Sequence, residues 1–94
     1  MAIYAVQYIY SEAPEILDGI RAEHRAFLRS LVEDGILLAS GPLVDRNAAL
    51  LIFKADSPEI VAGLLDKDPF EHAGFVGERI IEQWNPILGM LAEA

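Results

Sequence analysis

The sequence predicts an α+β domain of the ferredoxin-like type, with a four-stranded antiparallel sheet and both helices on one of its faces. Apolar residues alternate between strand-like runs and stretches with helical spacing, in the order strand, helix, strand, strand, helix, strand. A chain of this order closes most simply as a βαββαβ unit. Its 94 residues form one domain, 1–94, with a single core.

The first strand and the first helix occupy the N-terminal third of the chain. Residues 2–10 are rich in Ile, Tyr and Val and predict a strand that is apolar on both faces. Helical spacing of apolar residues then extends over 16–32, with Pro14 near the first turn. Gly19 predicts a kink or break within this helix, and Gly35 predicts its end.

The two central strands follow this helix. Residues 36–39 predict a strand that leads into Gly41 and Pro42, and this Gly-Pro step is expected to force the chain out of regular pairing. Residues 44–47 form a compact turn rich in polar side chains. Residues 48–55 then predict a strand that, like the first, is apolar on both faces.

The C-terminal part predicts the second helix and the last strand. Ser57 is expected to cap a helix that has Pro58 at its first position. A loop is expected over 68–74, followed by a strand through 76–84. Residues 86–94 are interpreted as a short C-terminal arm.

The amount of apolar sequence predicts association with further copies of the chain. Hydrophobic residues make up 53% of the chain, more than a small monomer readily buries. In a lone copy, the sheet face without helices would be in contact with water. The strands 2–10 and 48–55 nevertheless carry apolar residues on that face as well. We therefore expect a homodimer, with two sheets packed face to face, or a higher oligomer.

Charge and composition exclude several classes of partner. Fifteen acidic against seven basic side chains give a net charge of −8, which disfavours nucleic acid and anionic membranes because both are bound through Lys and Arg. No secretory leader and no apolar stretch of about 18 residues is seen, so we expect a cytoplasmic protein. Without cysteine, thiolate nucleophiles and thiolate metal sites are excluded.

His24 is the first candidate for chemistry. It lies four residues from both Ile20 and Leu28, so the helical period places it on the apolar face. An imidazole directed toward a core needs a polar partner. One alternative is a core histidine bonded to a backbone carbonyl; the other is a proton-transfer group, since histidine titrates near neutral pH.

Asp68 is the candidate partner of His24. It precedes Pro69, which restricts its backbone to extended conformations and limits the directions of its carboxylate. Its alternative role is turn chemistry, in which the carboxylate bonds only nearby amides. Paired with His24, Asp68 would fix the tautomer and orientation of the imidazole, which could then transfer protons.

Several other residues are candidates for binding a substrate. Arg21 projects close to His24 on the helix, although it could equally pair with Asp18 in solvent. Phe70, in the 68–74 loop, is a further candidate. So are the residues that end the second strand: Ser40, Gly41 and Pro42. His72 lacks metal-ligand spacing, so we interpret it as a surface loop residue and expect no metal site.

A set of short motifs resembles a known family. In order, they are Arg21-x-x-His24, Asp34-Gly35, Ser40-Gly41-Pro42, Asp68-Pro69-Phe70 and Gly74. Together they resemble the YCII-related (YciI-like) family within the dimeric α+β barrel superfamily. The resemblance implies that His24 and Asp68 match the family's paired histidine and aspartate, a proposed acid–base dyad lining a pocket. It also implies that Arg21 and the Ser40-Gly41-Pro42 turn match pocket positions.

The functional expectation combines the dyad with this resemblance. One branch of the family resembles enzymes that remove a halide from a hydroxylated ring. We expect a small-molecule enzyme without metal or organic cofactor, performing isomerisation or elimination by proton transfer between His24, supported by Asp68, and a small ring or keto acid. Two alternatives remain: a non-catalytic dimeric module that binds a metabolite or serves a larger enzyme, and a structural dimer with a buried polar pair.

Overall fold

The computed structural model describes residues 1–94 and contains one antiparallel sheet with helices on one side. Its strands are β1 (Ala2–Tyr10), β2 (Leu37–Pro42), β3 (Ala48–Ala55) and β4 (Val76–Trp84). The helices are α1 (Pro14–Leu17), α2 (Arg21–Glu33), α3 (Pro58–Leu65) and α4 (Pro69–His72). The strand order is β2-β3-β1-β4, and each neighbouring pair is antiparallel. The predicted ferredoxin-like fold is therefore confirmed.

The core lies between the sheet and the two long helices. Alternate residues of the central strands point into it, among them Val6 and Tyr8 of β1 and Phe53 of β3. Leu28 of α2 and Val61 of α3 belong to the same cluster, so both helices cover the same face of the sheet. Because side chains alternate along a strand, only every second residue of β1 and β3 points toward α2.

The opposite face of the sheet carries no helix. Its apolar side chains belong to β1, β3 and β4 and alternate with the core residues: Ile3, Ala5, Ile9, Leu50, Ile52, Ile80 and Trp84. Trp84 is 42% exposed and Leu50 is 36% exposed. The arm after Trp84 contains a single 3-10 turn, Met90–Glu93, and leaves Ile87 and Leu88 largely exposed.

The helix boundaries follow from local chemistry. The predicted break at Gly19 is confirmed, because a turn separates α1 from α2 at this point. Gly35 ends α2 with a φ of 76°, a left-handed conformation that glycine adopts without steric penalty. Ser57 caps α3 as predicted, since its hydroxyl accepts a hydrogen bond of 3.2 Å from the Ile60 amide.

Two local predictions were wrong. Strand β2 does not stop before Gly41 and Pro42, because Pro42 still pairs with Ala49 of β3. An edge strand tolerates proline, since half of its amides face away from the neighbouring strand and need no partner there. The 68–74 segment, predicted as a loop, contains the single helical turn α4.

No helix of the chain is both long enough and apolar enough to cross a membrane.

Candidate active site

His24 and Asp68 meet in the structure, although 44 positions separate them in sequence. His24 Nδ1 lies 2.8 Å from Asp68 Oδ1 and 3.0 Å from Oδ2. Because an ionised carboxylate can only accept hydrogen bonds, Nδ1 carries a proton and donates it. In the neutral imidazole with this tautomer, the other ring nitrogen, Nε2, has a free lone pair that can accept a proton.

The carboxylate of Asp68 is fully buried and has three hydrogen-bond donors. Besides His24, the Tyr8 hydroxyl donates to Oδ2 at 3.0 Å and the Phe70 amide donates to Oδ1 at 3.0 Å. Asp68 is also the N-cap of α4, with Pro69 at the first helical position. The two roles that the sequence left open, turn residue and histidine partner, are therefore combined. A buried carboxylate needs such a full set of donors.

The His24 imidazole is held by its hydrogen bond to Asp68 and by the ring of Phe70. Phe70 stacks against it with ring centroids 3.9 Å apart and planes inclined by 10°. Phe70 itself has no exposed surface, so it positions the imidazole from the protein side. Its predicted contact with substrate stays a prediction.

Nε2 of His24 opens into a cavity. No buried side-chain nitrogen or oxygen in the chain lacks a hydrogen-bond partner, and Nε2 makes no hydrogen bond. The small exposed part of His24, 6% of the residue, therefore includes Nε2. His24 lines a cavity of about 410 Å³ between α2 and strand β2, which is within the size range of small-molecule sites.

The cavity brings together most of the predicted site residues. Besides His24 it is lined by Arg21, Ser40, Gly41 and Pro42. The extension of β2 through Pro42 is what places the last three opposite α2. His72 is not part of this cavity; it lies exposed at the end of α4. No group of three or more His, Cys, Asp or Glu side chains is placed to hold a metal ion.

Arg21 forms the predicted pair with Asp18 and also lines the cavity, whereas its contact with a substrate stays a prediction. Its Nε donates a hydrogen bond of 2.8 Å to Asp18 Oδ1, across the turn that separates α1 from α2. Its guanidinium carbon also lies 5.9 Å from the centre of the Phe70 ring, within cation–π distance. Arg21 is thus anchored at the cavity wall beside His24.

Two tyrosines of β1 belong to the site and were not predicted. Burial raises the pKa of Tyr8, and the negative charge of Asp68 raises it further. Burial and then Asp68 raise the pKa of Tyr10 to about 12, against a lowering effect of Arg21. Both phenols are therefore neutral hydrogen-bond donors at physiological pH. Tyr8 donates to Asp68, whereas Tyr10 lines the cavity. The available signal was the apolar setting of these residues, since a buried tyrosine hydroxyl needs a partner.

Two further arginines and an apolar wall complete the cavity. Arg25 and Arg29 follow Arg21 along α2 at intervals of four residues. The wall is formed by Leu28, Val32, Leu37 and Ala49. The site as a whole offers one proton acceptor, one neutral phenol and three cations around an apolar floor.

Comparisons with known proteins agree with this architecture. The chain resembles the structure of a 5-chloro-2-hydroxyhydroquinone dehydrochlorinase (TftG) from Burkholderia phenoliruptrix AC1100 in complex with 2,5-dihydroxybenzoquinone, with a TM-score of 0.76 and 23% sequence identity. The match covers 87% of this chain and 92% of that chain. At this identity the likeness establishes a common fold.

A second solved structure is more distant. An uncharacterized NIPSNAP domain protein from Burkholderia xenovorans matches with a TM-score of 0.55 and 15% identity, over 92% of this chain and 94% of that chain. No curated protein sequence matches the chain. The sequence profile of the YCII-related domain, however, matches residues 1–85. The chain therefore belongs to the YCII-related domain family.

Proposed function

We propose that this protein is a small-molecule enzyme that transfers protons with His24, oriented by Asp68, in the isomerisation of, or elimination from, a small oxygenated ring. The observation that carries the proposal is the 2.8 Å contact between His24 Nδ1 and Asp68 Oδ1, with Nε2 open to the cavity. A base held in one tautomer and aimed into a pocket is the arrangement that general acid–base catalysis requires.

The chemistry follows from the two ring nitrogens. Nε2 accepts a proton from a hydroxyl group of the substrate, and Asp68 stabilises the imidazolium that forms. Return of that proton to a ring carbon completes an isomerisation. If that carbon bears a halide, loss of a second hydroxyl proton to Nε2 forms a carbonyl, and the halide leaves with its bonding electrons. The net loss is one proton and one halide ion.

The proposed ring substrate has separate support. The dehydrochlorinase with the same fold is named for a chlorinated hydroxyhydroquinone, and its structure contains a dihydroxybenzoquinone. The cavity of about 410 Å³ suits a molecule with one ring. We assign substrate contacts to Arg21, Ser40, Gly41 and Pro42, and a positioning role to Phe70. We expect neither metal nor organic cofactor.

A panel of small rings tests this proposal. Chlorinated and unchlorinated hydroxyhydroquinones and unsaturated lactones are incubated with the protein in deuterated water. Chloride release by ion chromatography reports elimination, and deuterium on ring carbon by NMR reports isomerisation. We expect acceleration over buffer for at least one compound. A compound that co-purifies with the protein and stays unchanged, with no acceleration across the panel, would instead favour a metabolite-binding module.

We also propose that the protein is a cytoplasmic homodimer formed through the helix-free face of the sheet, and that it binds neither nucleic acid nor membranes. Leu50 and Trp84 expose apolar surface on that face, which a second sheet would remove from water. Light scattering should then give twice the chain mass of 10.3 kDa. Leu50→Glu should yield monomer, whereas Val44→Glu, at a turn residue that is 98% exposed, should not. A wild-type monomer at micromolar concentration would contradict the dimer.

A further inference from the structure

The cavity is positively charged in a protein that is strongly acidic. Three of the chain's seven basic residues line it, namely Arg21, Arg25 and Arg29, whereas none of the fifteen acidic residues does. Arg25 and Arg29 are exposed to solvent at the cavity wall, and such a local reversal of sign attracts anions to it.

The arginines of α2 stand in positions that do not favour the helix itself. At intervals of four residues they lie one above another on the same face, where like charges repel. Arg21 is also the first residue of α2, where the helix dipole favours acidic side chains. Helix stability therefore does not account for this row of arginines.

Arg25 and Arg29 are also available for binding. The ion pairs of the chain engage Arg21, His24 and Arg79 but not these two residues. Arg25 and Arg29 stand about 6 Å apart along the helix axis, given the rise per residue of an α-helix. A guanidinium group matches the two oxygens of a carboxylate or phosphate in a bidentate contact.

We propose that Arg25 and Arg29 bind an oxyanion group of the substrate, so that the ring handled by His24 belongs to a small organic anion. This inference rests on the proposed function and adds the substrate class. Arg29 lies five residues beyond His24, or about 7.5 Å along the axis. Because each residue also turns the helix by about 100°, the side chains of His24 and Arg29 leave it in different directions. Both line the same cavity, so a small ring bearing one carboxylate or phosphate could contact His24 with one end and the arginines with the other.

Calorimetric titration with two matched probes tests the site. Gentisate is hydroquinone carrying one carboxylate, and inorganic phosphate provides the alternative oxyanion. We expect gentisate to bind at least about tenfold more tightly than hydroquinone, as charge-assisted hydrogen bonds predict. In the double variant Arg25→Gln, Arg29→Gln this advantage should disappear, so that gentisate binds no more tightly than hydroquinone. Added salt should weaken gentisate binding.

Arg46→Gln, Lys67→Gln is the matched control, because it also removes two positive charges, both outside the cavity. If gentisate binding weakens equally in this control, the effect is one of net charge and the proposal is overturned. Equal binding of gentisate and hydroquinone, or no binding of either gentisate or phosphate, would also overturn it. Competition by phosphate, lost in the double variant, would support the oxyanion site and assign its ligand to phosphate. No competition, with gentisate bound through the arginines, would assign it to a carboxylate.

The anion site and the proton-transfer function fail in different ways. If His24 transfers no proton, His24→Asn changes no reaction, yet gentisate binding still depends on the two arginines. If the anion site is wrong, the double variant binds gentisate normally and His24-dependent turnover of uncharged rings remains. The two measurements together therefore distinguish the two failures.

Discussion

Replacing His24 with asparagine is expected to lower turnover of the best panel compound by roughly 10²- to 10⁴-fold, the range that general acid–base catalysis contributes. The side-chain nitrogen of asparagine occupies about the position of imidazole Nδ1, so the hydrogen bond to Asp68 at 2.8 Å is kept. What disappears is Nε2, the nitrogen that opens into the cavity. The substitution therefore removes the base and keeps the buried carboxylate paired.

The stability of this variant separates chemistry from folding. We expect the free energy of unfolding in urea to fall by less than about 2 kcal/mol, chiefly through the lost stacking on Phe70. His72→Asn is the matched control, since His72 is the other histidine of the chain and lies exposed on α4. It should leave turnover unchanged. Full activity of the folded His24→Asn variant would exclude His24 as the base.

Much of the architecture could be predicted because each element has a local cause. Strands β1 and β3 coincide with the apolar runs 2–10 and 48–55, and each run ends where turn or helix-start residues begin. The end of β2 could not be predicted in the same way, because proline is compatible with a strand only at a sheet edge. Edge position depends on the order β2-β3-β1-β4, which is a property of the whole fold.

The site was partly predictable for a similar reason. Helical spacing directs His24 inward and Pro69 restricts Asp68, so both could be singled out from sequence. Their hydrogen bond depends on long-range packing. The same holds for the hydrogen bond from Tyr8 to Asp68, because Tyr8 is one of three tyrosines on the core-facing side of β1. Arg25 has the spacing of an ordinary solvated helix face. Only its position at the cavity distinguishes it from such a residue.

Replacing Asp68 with asparagine is expected to lower turnover by a similar factor, roughly 10²- to 10⁴-fold, because the negative charge that stabilises the imidazolium is lost. Asparagine keeps the size of the side chain, and its oxygen can still accept from the Phe70 amide. Its amino group then faces Tyr8, so the Tyr8 hydroxyl loses its acceptor. We expect the free energy of unfolding to fall by about 1–3 kcal/mol, the cost of a buried unpaired polar group.

Tyr8→Phe is the matched comparison for this variant. It removes the same hydrogen bond, 3.0 Å long, but leaves the charge of Asp68 in place. Its stability in urea should therefore fall about as far as that of Asp68→Asn, while most turnover remains. In the double variant the stability losses should be less than additive, because phenylalanine no longer presents an unpaired hydroxyl to the amide. If Tyr8→Phe loses as much turnover as Asp68→Asn, the hydrogen-bond geometry around Asp68 matters more than its charge.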